Sequence, residues 1–233
     1  MTTRLYLEFD ASCKSIPLSR EDAHYLLRVL RLKAGDVIHV FNETAGEWRC
    51  VLADVTKMDG MLYMQDCVCP PHNEPATYLV YAPLKHDAMA FLFEKAVELG
   101  VTHFQPMITD HAQKYAMHAD KVLRQLKQAV QQCERLSVPK VLPALRFDQI
   151  VAHYPDAYIA LERFDAMPFI RALPTDPGLP CVFIVGAEGG FSPREVDLAC
   201  KSTLVPVSLG RTILRAETAA LVGLGAIHMA RSC

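Results

Sequence analysis

The sequence predicts an α/β protein in two parts: a small β-rich unit over residues 1–72, then a mainly parallel, helix-covered sheet over residues 73–233. Three observations predict it. From Tyr78 onward, short apolar runs alternate with amphipathic stretches, the rhythm of buried strands between helices. Before residue 72 the apolar runs are strand-like and divided by turn residues. Between the two, "PPHNEP" (70–75) places three prolines in six residues, which interrupts either rhythm and marks a boundary.

In the first part, "EDAHYLLRVLRLKAG" predicts a helix closed by Gly35 as its C-cap. "DVIHVF" and "EWRCVLADV" read as strands joined by the turn-like "NETAG", and "MLYMQDCVC" as a third. In the second part, "TYLVYAPL" is a strand and "DAMAFLFEKAVELG" an amphipathic helix ending at Gly100. "THFQPMIT" is a strand and "ADKVLRQLKQAVQQCERL" a long helix. "AYIAL" and "CVFIVG" are buried strands, "SPREVDLACKS" a helix and "LVPVSLG" a strand. "AETAALVGLGAIHMARS" is the closing helix, whose small residues permit close packing.

Composition narrows the class. With 51% hydrophobic and 21% charged residues, the 233-residue chain can bury a sizeable core and is not a disordered one. No apolar run reaches the ~20 residues of a membrane span, so no membrane partner is expected. Eight scattered cysteines without a secretory leader predict reduced thiols in a cytoplasm. Cys67, Cys69 and His72 lack the spacing of a zinc ribbon or finger, and no metal is expected. The net charge of −2 argues against coating nucleic acid by bulk attraction. Between His111 and Arg146, however, seven Lys and Arg face only Asp120 and Glu134, a local excess suited to phosphates.

The chemistry gathers near the C terminus. "VGAEGGFSPRE" (185–195) follows a buried strand with a glycine turn and a capping box: Ser192 as N-cap, Pro193 at the first helical position, Glu195 reaching back. Such a turn delivers free N–H groups at a strand's carboxyl end, where open α/β sheets bind ligands. It is not a Walker loop, because Phe191 stands where the lysine belongs, and its G-x-x-G-G spacing is not a dinucleotide fingerprint. Glu188 inside the turn would repel a pyrophosphate, so the ligand there is neutral or cationic. A plain tight turn is the competing reading of this motif alone. The second stretch, "LGRTILRAETAA" (209–220), repeats the arrangement with Gly210 after a strand, Arg211 and Arg215 in a short loop, and Glu217 at a helix start. Two such turns in so short a window favour a ligand site.

These two motifs closely resemble the paired C-terminal motifs of the ribosomal RNA small subunit methyltransferase E (RsmE) family, of the knotted SPOUT superfamily. The resemblance spans nearly the whole chain. "HYLLRVLRLKAGDVIHVFN" is similar to the family's H-x-x-x-V-L-R segment, "APLKHDAMAFLFEKAVELGVTHFQPMIT" to the opening of its catalytic domain, and "QQCERLSVP" to its E-Q-x-G-R-x-x-V-P. The resemblance implies a PUA-like RNA-binding β-barrel over 1–72 and a trefoil-knotted SPOUT domain over 73–233, with knot and cofactor site at about 160–220. It implies S-adenosylmethionine as methyl donor and N3 of one uridine in 16S ribosomal RNA as acceptor. Gly186, Glu188 and Gly189 of the first motif and Leu209, Gly210, Ile213, Leu214 and Thr218 of the second would hold the donor, with Leu161 at the end of "AYIAL". A lysine-free turn with a carboxylate suits a sulfonium cation. Ala187 stands where the family usually has Pro, Gln131 where Glu is usual, and Glu134 where Gly is usual.

Uracil N3 is a poor nucleophile until it loses its proton, so a catalyst must stabilise the developing anion. Arg215 is the candidate, because a guanidinium stays charged and can fork onto a carbonyl oxygen beside N3. Glu217 is a candidate base or an orienting partner for Arg215; its plainer role is a carboxylate at a helix start. For RNA, His24, Arg28 and Arg31 make one helical stripe opposite Leu26, Val29 and Leu30. Lys121, Arg124, Gln128 and Arg135 make another, backed by Val122, Leu126, Ala129, Val130 and Cys133. Either stripe alone also reads as a solvated face; Arg4 and Lys85 extend the expected RNA contacts. The small-residue closing helix is expected to form a homodimer interface, or else an ordinary core helix. A non-catalytic RNA-binding or ribosome-assembly protein retaining the fold is the alternative function, hinted at by Ala187 and Gln131.

Overall fold

The computed structural model describes residues 2–56, 59–112, 118–161 and 164–231. It divides into two compact units: one reaches residue 73 and includes 130–138, the other comprises 74–129 and 139 onward.

The first unit holds β1 (Thr3–Tyr6), β2 (Ser15–Pro17), α1 (Arg20–His24), β3 (Val37–Asn42), β4 (Gly46–Ala53) and β5 (Met61–Cys69). They form a five-stranded sheet in the order β1-β3-β4-β5-β2, antiparallel except for the β1–β3 pair. Its core includes Leu26, Ile38, Val40, Leu52 and Leu62, none of them reached by solvent. The β3–β4 reversal is built around buried Asn42. Its Oδ1 accepts from the Thr44 and Ala45 amides, and its Nδ2 donates to the carbonyls of Leu7 and Phe9. Gly46, at φ 78°, closes that turn so tightly that any Cβ would overlap the Cys69 carbonyl.

Helix α1 is shorter than the sequence predicts. Ser19 caps it, but after His24 it widens into a π-helical turn over Tyr25–Val29, with Leu30 N–H bonded to the Tyr25 carbonyl. Arg31, at φ 59°, then ends it four residues before Gly35. The wide turn shifts the helical phase, so of the expected apolar face only Leu26 is buried, while Val29 is 57% exposed. Gly35 instead serves the turn into β3, donating its N–H to the Leu52 carbonyl.

The second unit begins with β6 (Thr77–Tyr81), α2 (His86–Glu98), β7 (His103–Ile108) and α3 (Ala119–Gln132), whose last turn belongs to the first unit. The short β8 (Lys140–Val141), β9 (Leu145–Arg146) and α4 (Phe147–His153) follow. Next come β10 (Tyr158–Ala160), β11 (Met167–Pro168), α5 (Phe169–Ala172) and β12 (Cys181–Val185). The chain closes with α6 (Pro193–Lys201), β13 (Val205–Ser208) and α7 (Ala216–Arg231). All pairings are parallel, in the order β11-β13-β10-β12-β6-β7-β8, with β9 continuing the edge of β7. From β12 the chain passes through α6 to the far side of β10, where it forms β13. It then returns to lay α7 against β12, β6 and α2. The carboxyl ends of β10, β12 and β13 therefore meet where the strand order reverses, the place an open α/β sheet offers a ligand.

Close approach of α7 to the sheet requires a glycine. A Cβ at Gly223 would overlap the ring of Phe183, which is fully buried and stacked on Phe169 at 4.8 Å between centroids. Gly223→Ala is expected to cost about 1–3 kcal/mol and lower the unfolding temperature by roughly 5 °C. Phe183→Leu in the same chain is expected to recover part of that loss in thermal unfolding.

Candidate active site

The first bend leaves β12 at Gly186. Gly190 N–H closes it onto the Ala187 carbonyl at 2.9 Å, and Gly190 takes φ 69°. Alanine in place of the family's usual proline therefore leaves the turn's main-chain bond intact. Helix α6 starts as the sequence predicts, with a reciprocal capping box: Ser192 Oγ accepts from Glu195 N–H, and Glu195 Oε2 accepts from Ser192 N–H. Glu195 is only 5% exposed, and its second oxygen accepts from the Asp110 amide at 2.9 Å. Its carboxylate thus ties the first bend to the segment after β7, a contact 85 residues apart in sequence.

The second bend leaves β13 at Ser208, whose hydroxyl accepts from the Gly210 amide. Gly210 adopts φ 133°, a conformation that favours glycine. The Arg215 carbonyl then receives the Ala219 amide at 2.8 Å as α7 begins.

Both bends line one cleft of about 480 Å³, together with Ala160 at the end of β10 and Leu161 and Phe164 beyond it. Eight of the nine residues expected to hold a cofactor lie on its wall: Leu161, Gly186, Glu188, Gly189, Leu209, Gly210, Ile213 and Leu214. Thr218 does not. The inward face of α7 carries Ala216, Ala219, Ala220 and Gly223, and helical phase turns Thr218 to solvent, so Ala216 and Ala219 supply that wall. Arg215 and Glu217 are also off the wall; Arg215 is exposed, between the lining residues Leu214 and Ala216. Arg211, passed over in favour of Arg215, lines the cleft, as do the aromatics Phe164 and Phe191. The "LGRTILR" motif already held Arg211 and the glycine turn already held Phe191; Phe164 carries no local signal that would set it apart from a core residue.

The wall suits a donor with a cationic centre and no phosphate. A Cβ at Gly190 or Gly210 would meet nothing within 4 Å, so bare main chain borders open space at both bends. Glu188 supplies a carboxylate, with Lys85 Nζ 3.8 Å from its Oε2.

The expected RNA contacts separate into three groups. His24, Arg28 and Arg31 are exposed on the first unit, and Lys85, Lys121 and Arg124 on the second. Lys121 Nζ donates to His86 Nε2 at 2.7 Å. Arg135 lies outside the α3 stripe. The helix ends at Gln132, Glu134 takes φ 64°, and the half-buried Arg135 donates to Ser137 Oγ. The left-handed φ at 134 also explains why glycine is usual there in the resembling family. Arg4 is turned into the first unit and not towards solvent. Its side chain is 7% exposed, sits 4.1 Å over the Phe41 ring and pairs in a fork with Glu47 at 3.2 and 2.7 Å. Its remaining N–H groups cap the carbonyls of Val130, Gln131, Glu134 and Arg135. A phosphate would find no donor left.

Fold and cleft together define an RNA methyltransferase: residues 72–228 match the family described as RNA methyltransferase domain, and residues 18–57 match the RNA methyltransferase PUA domain. The chain is 32% identical over 225 residues to the ribosomal RNA small subunit methyltransferase E of Synechocystis sp., covering 92% of this chain and 73% of that one. It is 28% identical to the protein of that name from Rickettsia conorii, covering 91% and 88%. The crystal structure of the Neisseria gonorrhoeae ribosomal RNA small subunit methyltransferase E bound to S-adenosyl methionine superposes with a TM-score of 0.83 at 26% identity, covering 98% of each chain. The chain belongs to the ribosomal RNA small subunit methyltransferase E family.

Proposed function

We propose that this chain methylates N3 of one uridine in 16S ribosomal RNA, with S-adenosylmethionine as donor. The observation that carries the reading is the meeting of residues 186–191 and 209–214 on one cleft where the strand order reverses. The donor supplies an electrophilic methyl group on a sulfonium. Main-chain groups of the two bends would hold its neutral parts, and Glu188 would supply a negative charge to the cation. Leu161, Ile213 and Leu214 exclude water from the cleft. Acceptor N3 must lose its proton, and the anion spreads onto the flanking carbonyl oxygens. Arg215, at the exposed start of α7, presents a permanent charge to one of them. Glu217 accepts the proton or orients Arg215.

Each unit offers a cationic surface to the RNA: His24, Arg28 and Arg31 on the first, Lys85, Lys121 and Arg124 on the second. The outer stripe of α7, with Val222 and Met229 exposed, is the face proposed for a homodimer. The reading places the protein in the cytoplasm with its ribosomal substrate.

Mass spectrometry of small-subunit RNA from a deletion strain tests the function. One methyluridine is expected to disappear from 16S RNA and return with the wild-type chain; unchanged RNA would exclude the reading. A non-catalytic assembly protein is separated by calorimetry, since it has no reason to bind S-adenosylmethionine.

The cleft makes a further prediction. A Cβ at Gly186 would lie 2.9 Å from the Phe191 ring, which packs against Phe147 and lines the cleft. Gly186→Ala is expected to weaken donor binding about ten-fold by displacing that ring. Titration calorimetry checks it, and Phe191→Leu in the same chain is expected to restore part of the affinity.

A further inference from the structure

The segment after β7, Thr109–Ala112, lies outside the cleft and grips the first bend from behind. Three contacts do so. The Asp110 amide donates to Glu195 Oε1, the Ser192 hydroxyl donates to Asp110 Oδ2 at 2.5 Å, and His111 Nδ1 lies 3.1 Å from the Gly189 carbonyl. A carbonyl only accepts, so His111 carries its proton on Nδ1, whatever the state of Nε2. The approach is close as well as polar: a Cβ at Gly189 would sit 3.3 Å from that of His111. Gly189 and Gly190 line the cleft and His111 does not, so the 189–190 peptide on the wall is held by an imidazole from outside it. The Ser192 hydroxyl is fixed in the same way. It donates to Asp110 and accepts from the Glu195 amide, which orients the start of α6.

We infer that Asp110 and His111 are positioning residues for the methyl donor, holding the first bend in its binding conformation without touching the ligand. The inference rests on the donor reading above. It adds a buttress that neither C-terminal motif contains, from residues 78 to 82 positions earlier in the chain.

The test is titration of the full chain with S-adenosylmethionine, alongside methyl-transfer kinetics and thermal unfolding. His111→Ala and His111→Gln are expected to raise the donor Kd about five-fold, the effect of one hydrogen bond. His111→Asn places an amide N–H where Nδ1 stood and is expected to bind within about two-fold of wild type. Asp110→Ala is expected to weaken binding similarly, and Asp110→Asn, which keeps an oxygen for Ser192, to rescue it. At saturating donor, kcat stays near wild type while KM for the donor rises in the Ala variants, and both Asn variants unfold at the wild-type temperature. Wild-type affinity in His111→Ala and Asp110→Ala would overturn the inference. So would equal loss in the Asn variants accompanied by a lower unfolding temperature, which marks a merely structural role. Failure of the wild-type chain to bind S-adenosylmethionine would instead remove the donor reading, and this inference with it.

Discussion

Arg4→Ala is expected to destabilise the first unit by about 3–5 kcal/mol, the cost of breaking a buried ion pair on one side. The substitution leaves the Glu47 carboxylate, 11% exposed, facing only His39 Nδ1 at 2.7 Å. It also removes the cation from the Phe41 ring and uncaps four carbonyls around the end of α3. Trp48, the chain's one tryptophan, sits in β4 beside this network and donates its ring N–H to the Ala45 carbonyl, so its fluorescence in urea reports on this unit. Glu47→Ala added to Arg4→Ala is expected to recover part of the loss, because the stranded charge is then gone.

The same network fixes the acid limit. Burial works to raise the Glu47 pKa, but the hydrogen bonds and charges of Arg4 and His39 outweigh it and hold the carboxyl below its ordinary range. A depressed folded pKa contributes stability that is complete above the unfolded value and lost as pH falls through the folded one. The Glu47 contribution in wild type is therefore expected to be lost as pH falls below the ordinary carboxylate range, and Arg4→Ala to lose less on that side, having less to give up. Stability within about 1 kcal/mol of wild type in Arg4→Ala would contradict the account.

Arg4 also shows where sequence reading stops. A lone arginine near a terminus carries no local sign that Glu47, Phe41 and carbonyls 126 to 131 residues away will consume every donor. The second unit was more legible because its physics is local. "CVFIV" is buried on both faces and therefore apolar throughout, while Ser192, Pro193 and Glu195 cap a helix within four residues. The two glycine bends were visible for the same reason: Gly190 and Gly210 need backbone angles that other residues avoid. Strand order, with β10 between β12 and β13, is a global property and left no mark on periodicity. The two-residue strands β8, β9 and β11 are too short to show any period. The π-helical turn at Tyr25–Val29 misled the reading of the first helix because its apolar spacing mimics an ordinary helix. Helical phase is equally hidden from the motif: it names this turn of α7, but the residues of that turn on the cleft wall are Ala216 and Ala219 and not Thr218.

Arg215→Ala is expected to lower kcat by about 10²–10³, the usual cost of removing one preorganised charge from a developing anion. Its side chain is exposed beside the cleft and does not line it, so donor affinity and folding stability are expected to stay near wild type. Arg211→Ala makes the contrast: that guanidinium lines the cleft, and its removal is expected to act on donor affinity first. Arg215→Lys keeps the charge but loses the planar fork, and is expected to recover only part of the rate. Single-turnover transfer to small-subunit RNA with saturating donor isolates this step from binding. If Arg215→Ala turns over at the wild-type rate while Arg211→Ala does not, the charge that meets the acceptor comes from the cleft wall and not from the start of α7. If both variants lose donor binding together, the second bend is held by its arginines and neither serves the anion.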